Sequence, residues 1–372
     1  MIIQGKGQVM IRTNIKLDIS NSPETINNVP ASDVAFFDIE TTGFSPNNTN
    51  LYLIGLAYKS GNDWVLDQWF AENTAEEVLI IREFSEAVAD YKLLVSYNGL
   101  GFDTSYLREK CRTYDIPFIS GKIPHLDIYR QLFPYKKFFK LENYKQKNIE
   151  RFLGIHREDI YNGGDLINYY RDYVKYPDER TKNILLQHNA DDVKGLISIL
   201  PILSYVTFFK GGFELSQVDI QRYESPDGSV AMDAIFDLIP INPLPRLIAY
   251  GYGPLYLSGR DKKVSLKVTM YTGELKFYYS DYKDYYYLPA EDMAVHKSVA
   301  FFVDKDYRVQ AKAANCYSKK TGRFLPQFSE LIEPFFKIEF HDKISYFELT
   351  DEICECDTLI KRYMIHCINH MK

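Results

Sequence analysis

Residues 34–43, Val-Ala-Phe-Phe-Asp-Ile-Glu-Thr-Thr-Gly, decide the fold. The stretch opens as an apolar run that ends at Glu40 and passes into the turn-prone Thr-Thr-Gly-Phe-Ser-Pro-Asn-Asn. A short apolar run bounded by turn residues reads as a buried strand. Asp38 and Glu40 are next-but-one neighbours at its end, so on a strand both carboxylates share one face. Like charges ~4 Å apart at an effective dielectric of about 20 repel by roughly 4 kcal/mol. A divalent cation removes that penalty; proton sharing or water exposure are the alternatives, and solvated strand ends carry such pairs often.

Outward from this strand, residues 51–58 (LYLIGLAY) and 64–70 (WVLDQWF) read as the next two strands, with Gly61-Asn62 as their turn. Val78, Ile81, Phe84 and Val88 recur at helical spacing, with Thr74 and Glu77 as the expected capping box. A strand at 93–97, a helix from about 101 to 113, and helical stretches at 141–153, 165–174 and 179–204 follow. This layout is α/β, with a mixed central sheet flanked by helices. Beyond Phe208-Phe209-Lys210-Gly211-Gly212 the texture changes. Pro240, Pro243, Pro245 and Pro254 argue against long helices. Strand pairs are expected over 264–349 with turns at Gly273, Asp304–Asp306, Lys319–Gly322 and His341–Lys343. A last helix, 351–371, carries a stripe of Ile360, Tyr363, Met364, Cys367 and Met371. The expected division is an N-terminal extension at 1–32, the α/β domain at 33–208, and a β-rich α+β C-terminal domain at 209–372.

The 372 residues are 46% hydrophobic and 25% charged, which excludes wholesale disorder. No uninterrupted apolar run of about 18 residues occurs, so no membrane-spanning helix is expected. A net charge of −6 counts against a general nucleic-acid coat but allows an enzyme with a local basic track. Five cysteines, an odd number without a regular framework, and an N-terminus lacking a signal-peptide core fit reduced thiols in a cytoplasm. Tyrosine is abundant at 30 residues, with its densest cluster at 278–287 (YYSDYKDYYY). Strand packing accounts for that cluster, and a recognition surface would use the same residues.

Two further segments carry acids. Tyr97-Asn98-Gly99-Leu100-Gly101-Phe102-Asp103 places Asp103 after a strand at a helix start. His188-Asn189-Ala190-Asp191-Asp192-Val193 places His188 and Asp192 on one helical face. DIETTG, YNGxxFD and HNxxDV, in that order, resemble the DEDD 3′–5′ exonuclease superfamily with the ribonuclease-H-like fold, closest to the bacterial YprB-type domain. His125-Leu126-Asp127 and residues 147–154 (KNIERFLG) add to the likeness, which covers about 33–204. It implies that Asp38, Glu40, Asp103 and Asp192 hold two divalent cations, Mg²⁺ or Mn²⁺, for phosphodiester hydrolysis. The implied partner is DNA or RNA, at a single-stranded 3′ end.

His188 stands four residues before Asp192, a histidine at the spacing where one branch of the family has tyrosine. It is the candidate catalytic base; a helix histidine that only bonds a neighbour is the alternative. Asp191 is an alternative fourth ligand in a shifted register. Thr41, Thr42, Gly43 and Phe44 are candidate contacts to the terminal nucleotide, a plain tight turn being the other account. Asn98 is a candidate sugar or phosphate contact, or a cap of the following helix. Lys136 and Lys137 lie in the aromatic-basic stretch 135–147 (YKKFFKLENYKQK), a candidate track for phosphates and stacked bases that a solvated amphipathic helix would also produce. Cys354, Cys356, His366 and His370 depart from common zinc spacings and are read as core or surface residues. A metal-dependent nuclease whose C-terminal domain helps select substrate is the leading expectation. A non-cutting ribonuclease-H-like binding module and an oligomerisation platform in the C-terminal half are its rivals.

Overall fold

The computed structural model describes residues 10–19, 23–157, 163–224, 228, 230–354 and 356–372. Contacts divide the chain into two units, Met1–Pro134 with Leu141–Leu203, and Tyr135–Lys140 with Ser204–Lys372. The first is built on a six-stranded mixed sheet: β1 (Ile11–Leu17), β2 (Val34–Thr41), β3 (Leu51–Ser60), β4 (Asp63–Phe70), β5 (Leu93–Ser96) and β6 (His125–Asp127). Their spatial order is β1-β4-β3-β2-β5-β6. Strands β1 to β4 pair antiparallel, whereas β5 and β6 run parallel to β2. Central β2 is apolar and buried over Val34–Phe37 because helices cover both of its faces. Ala35, Phe37 and Ile39 pack against Ile80, Ile81 and Phe84 of α1 (Glu77–Ala87) and against Tyr106, Leu107 and Cys111 of α2 (Asp103–Thr113). The unit also contains the α3 helix (Gln146–Leu153), α4 (Gly163–Lys175) and the long α5 (Glu179–Ser198). On the other face, Tyr52, Leu53 and Phe70 meet Tyr170 and Tyr173 of α4 and Leu185 of α5.

Three sequence expectations change here. Within the stretch expected as an extension, Ile11–Leu17 pairs along Trp64–Phe70 as the sheet's edge. Buried Asp67 pins that edge by accepting from Arg12 at 3.0 Å and Asn14 at 2.6 Å. An edge strand this polar carries little apolar signal, and its partner defines it. Second, no Thr74–Glu77 capping box forms: Asn73 accepts the Ala75 N–H, and a 3₁₀ turn precedes α1. Glu77 is instead a fully buried side chain that takes the Leu51 N–H at 2.6 Å and pairs with Lys110 Nζ at 2.9 Å. Lys110→Met leaves that carboxylate without its cation and is expected to cost about 3–5 kcal/mol, read as a lower urea midpoint. Third, the helical run Glu179–Phe209 is long and apolar enough to cross a membrane by length and composition, although 61% of its most apolar window is buried.

The second unit is β-rich. Phe213–Glu224, Val230–Pro240, Leu244–Tyr252, Leu255–Asp261 and Lys263–Thr269 form a five-stranded antiparallel sheet that contains the proline-rich region. Tyr271–Tyr278, Tyr317–Gln327 and Ser345–Glu348 form a second sheet. Gly273 and Lys319–Gly322, expected as turns, lie inside these strands, with Gly273 opposite Gly322. Glycine weakens a strand but also suits close backbone approach, so its presence alone did not distinguish the two. The last helix, Asp357–His370, buries Ile360, Tyr363, Met364 and Cys367, with Met371 just beyond it also buried. The tyrosine cluster is packing in large part: Tyr279, Tyr282, Tyr285 and Tyr287 close over Ala294, Ala311 and Cys316.

Candidate active site

The pleat of β2 sends Asp38 and Glu40 to the face covered by α5. Close approach of that helix needs Gly55, which pairs with Asp38 across the sheet. A Cβ there would stand 2.3 Å from Asn189 Oδ1 and 2.9 Å from Val193. Asn189 is thereby held to donate to Asp38 Oδ2 at 3.1 Å, its own carbonyl accepting from Gln68 at 3.0 Å. One residue back, His188 directs Nε2 to Asp192 Oδ2 at 3.3 Å and to Glu40 Oε1 at 3.7 Å. Metal-ligating atoms of Glu40, His188 and Asp192 all lie within 4.8 Å of one another, the one such group among the described residues. Asp191 is outside that group and accepts from Gln187 at 2.9 Å, so Asp192 is the member of the pair whose carboxylate belongs to it.

Asp103 enters from α2. Its approach is shaped by buried Asp127, which accepts the Asn98 N–H at 2.9 Å and the Leu100 N–H at 3.1 Å. Asn98 takes a left-handed conformation, φ 61°, to make this turn. Its side chain does not cap α2, whose first N–H groups find no side-chain acceptor at the N-cap.

Electrostatics link Asp38 to the other three acids. Loss of solvent pushes the Asp38 carboxyl well above its ordinary range, and Glu40, Asp192 and Asp103 push further, against the Asn189 hydrogen bond. Burial raises Asp103 to about 7, with backbone hydrogen bonds at Asp103 and Ile39 opposing and Asp127 adding. Burial would raise Asp192 too, yet hydrogen bonds and charge from His188 and Arg157 hold it below the ordinary value. Clustered carboxylate oxygens fit hard divalent cations.

The expected substrate contacts divide. The Thr41 hydroxyl donates to the Gly43 carbonyl at 2.9 Å, while the Thr42 hydroxyl accepts the Asn50 N–H at 2.8 Å; both shape the loop. Phe44 stands 88% exposed at its tip, edge-on to Phe102 at 5.9 Å. Lys136 and Lys137 lie on a short helix of the second unit, where Lys137 donates to the Lys372 carbonyl at 2.7 Å and sits over Tyr252. Among the zinc candidates, His366 accepts the Phe328 N–H at 2.9 Å and His370 stacks on Phe328.

Sequence reasoning missed Gln146, Glu150, Asn189 and Arg157 as parts of the site. Glu150 and Asn189 sit inside quoted motifs, but nothing in the spacing gave them partners.

Residues 35–204 match the model of the RNase_H superfamily. The mixed sheet with its flanking helices fits a ribonuclease-H-like domain, followed along the chain by a β-rich region. The chain is similar to the family B DNA polymerase of Pyrobaculum calidifontis, with 14% identity, a TM-score of 0.37, and coverage of 72% of this chain and 39% of the polymerase. It is also similar to E. coli exonuclease I crystallised with a dT13 oligonucleotide, with 10% identity, a TM-score of 0.31, and coverage of 55% and 54%. The matches span less than two thirds of either solved chain. A search of curated proteins finds no match.

Proposed function

We propose that this protein is a metal-dependent nuclease, specifically a DEDD-type 3′–5′ exonuclease acting on single-stranded 3′ ends of DNA or RNA. The observation that carries the reading is the group of Glu40, His188 and Asp192, whose ligating atoms lie within 4.8 Å of one another, with Asp38 held beside it by Asn189 at 3.1 Å. The four carboxylates would hold two divalent cations, Mg²⁺ or Mn²⁺, which when bound supply a hydroxide nucleophile and stabilise the leaving oxygen.

The chain's own residues have definable parts in the reaction. A water oxygen attacks phosphorus, the P–O3′ bond breaks, and a nucleoside 5′-monophosphate leaves with the 3′ end shortened by one. His188 is the acceptor for the water's proton, and the imidazolium so formed has the Glu40 and Asp192 carboxylates beside it. The leaving 3′ oxygen takes its proton from solvent. Phe44, exposed against Phe102, offers an aromatic face to the terminal base.

End-labelled single- and double-stranded DNA and RNA in Mn²⁺ test this reading. Wild type is expected to release mononucleotides from the 3′ end, and Asp38→Ala to release none. Wild type as inert as Asp38→Ala on every substrate would leave a binding module. Nicking of closed circles would instead indicate internal cutting.

A further inference from the structure

We infer that Arg157 is a positioning residue for Asp192: anchored on buried Glu150, its guanidinium holds one carboxylate oxygen and leaves the other to the metal side of the site. This rests on the nuclease reading above. Glu150 is 1% exposed. Its Oε1 accepts from Arg157 Nη2 at 2.6 Å, and its Oε2 pairs with Arg157 Nε. From the far side of the same planar fork, Nη1 pairs with Asp192 Oδ1. Asp192 Oδ2 is the oxygen turned to His188, at 3.3 Å. The two oxygens of one ligand are therefore divided between a structural cation and the catalytic cluster.

Three further features show that the arrangement is built around Asp192. Gln146 Nε2 donates both to Glu150 Oε1 at 2.9 Å and to the Asp192 backbone carbonyl at 2.8 Å, tying the anchor to the ligand's own main chain. Gly195, three residues past Asp192 on α5, leaves the space in which the group sits. A Cβ at that position would stand 2.2 Å from Glu150 Oε1, 2.5 Å from Gln146 Nε2 and 2.7 Å from Arg157 Nη2. The Arg157 side chain is only 10% exposed, so its charge is committed inside the domain. A Glu150–Arg157 pair alone would satisfy the buried charges; the reach to Asp192 adds an orienting contact of the kind that tunes metal ligands.

Mn²⁺ binding to the full chain without substrate, followed by electron paramagnetic resonance of the free ion, tests the role independently of turnover. Glu150→Gln combined with Arg157→Met removes the anchoring pair together, so that Asp192 is the one carboxylate that loses a cation partner. This variant is expected to bind Mn²⁺ about 10-fold more weakly than wild type. Gly195→Ala, which displaces the group without changing its charge, is expected to weaken binding in the same direction and serves if the double variant does not fold. Arg157→Lys keeps the charge but loses the planar fork, and should fall between. Affinity equal to wild type in these variants would overturn the inference. Tighter binding would overturn it too, since it would make the guanidinium a competitor for Asp192. Wild type that takes up no more Mn²⁺ than Asp192→Ala would instead defeat the nuclease reading on which the inference stands.

Discussion

Asp38→Asn is expected to raise the melting temperature of the cation-free protein while abolishing cleavage. The wild-type carboxyl is crowded by Glu40, Asp192 and Asp103 and has lost solvent, so its ionised form is held against a cost in the absence of cations. Asparagine keeps the shape and retains an oxygen to accept from Asn189, now 3.1 Å from Asp38 Oδ2, while removing the charge. Each 1 kcal/mol recovered is worth about 2–4 °C for a domain of roughly 150–250 residues. Activity should fall by more than the ~100-fold typical of losing an outer partner of a metal ligand, because Asp38 is a proposed ligand itself. Mn²⁺ should raise the melting temperature of wild type well above that of the variant, reversing their order. Differential scanning calorimetry with and without Mn²⁺, on the samples used for the end-labelled assay, checks all three. A variant less stable than wild type without cations would mean that the acids do not repel one another as the geometry requires.

The same cluster sets a pH dependence opposite to that of ordinary salt-bridged acids. Asp38 is raised well above its usual value, and burial takes Asp103 to about 7. Between an unfolded value near 4 and about 7, the native state therefore binds more protons than the unfolded chain. Stability then falls as pH rises through that window, because the slope follows the protons bound unfolded minus those bound native. Asp192 has the reverse sign: its depressed value contributes stability above about pH 4 that is lost only below it. The cation-free protein is expected to be more stable at pH 5 than at pH 7.5. The stabilisation given by Mn²⁺ should grow over the same interval, since binding competes with protons for the carboxylates. Melting temperatures across pH 4.5–8, with and without Mn²⁺, measure both. A cation-free curve that rises toward pH 7.5 would show that these acids are ionised and solvated instead.

Much of the site was legible because its chemistry is local. Asp38 and Glu40 share a face as soon as residues 34–40 are read as a strand, and His188 and Asp192 share one as soon as their segment is a helix. The fold around them followed from the same periodicities, with strand and helix positions in the first unit shifted by a few residues at most of their ends. Strand β1 was missed because its burial is shallow and Trp64–Phe70 defines it. The capping box at Thr74 failed because Glu77 gains more from Lys110 and the Leu51 N–H than from a helix end.

The sequence by itself determined which acids could act together and on which element each sits, since strand and helix periods depend only on near neighbours. Whether those elements meet was decided by the tertiary structure. Gly55 lets α5 close on β3, so that Asn189 reaches Asp38. Chain folding also put Lys136 and Lys137 with the second unit and brought Arg157 and Glu150 to Asp192, 35 residues from Arg157 along the chain. A charge buried against a partner so far away leaves no periodic trace, because what selects it is the cost of desolvating it alone.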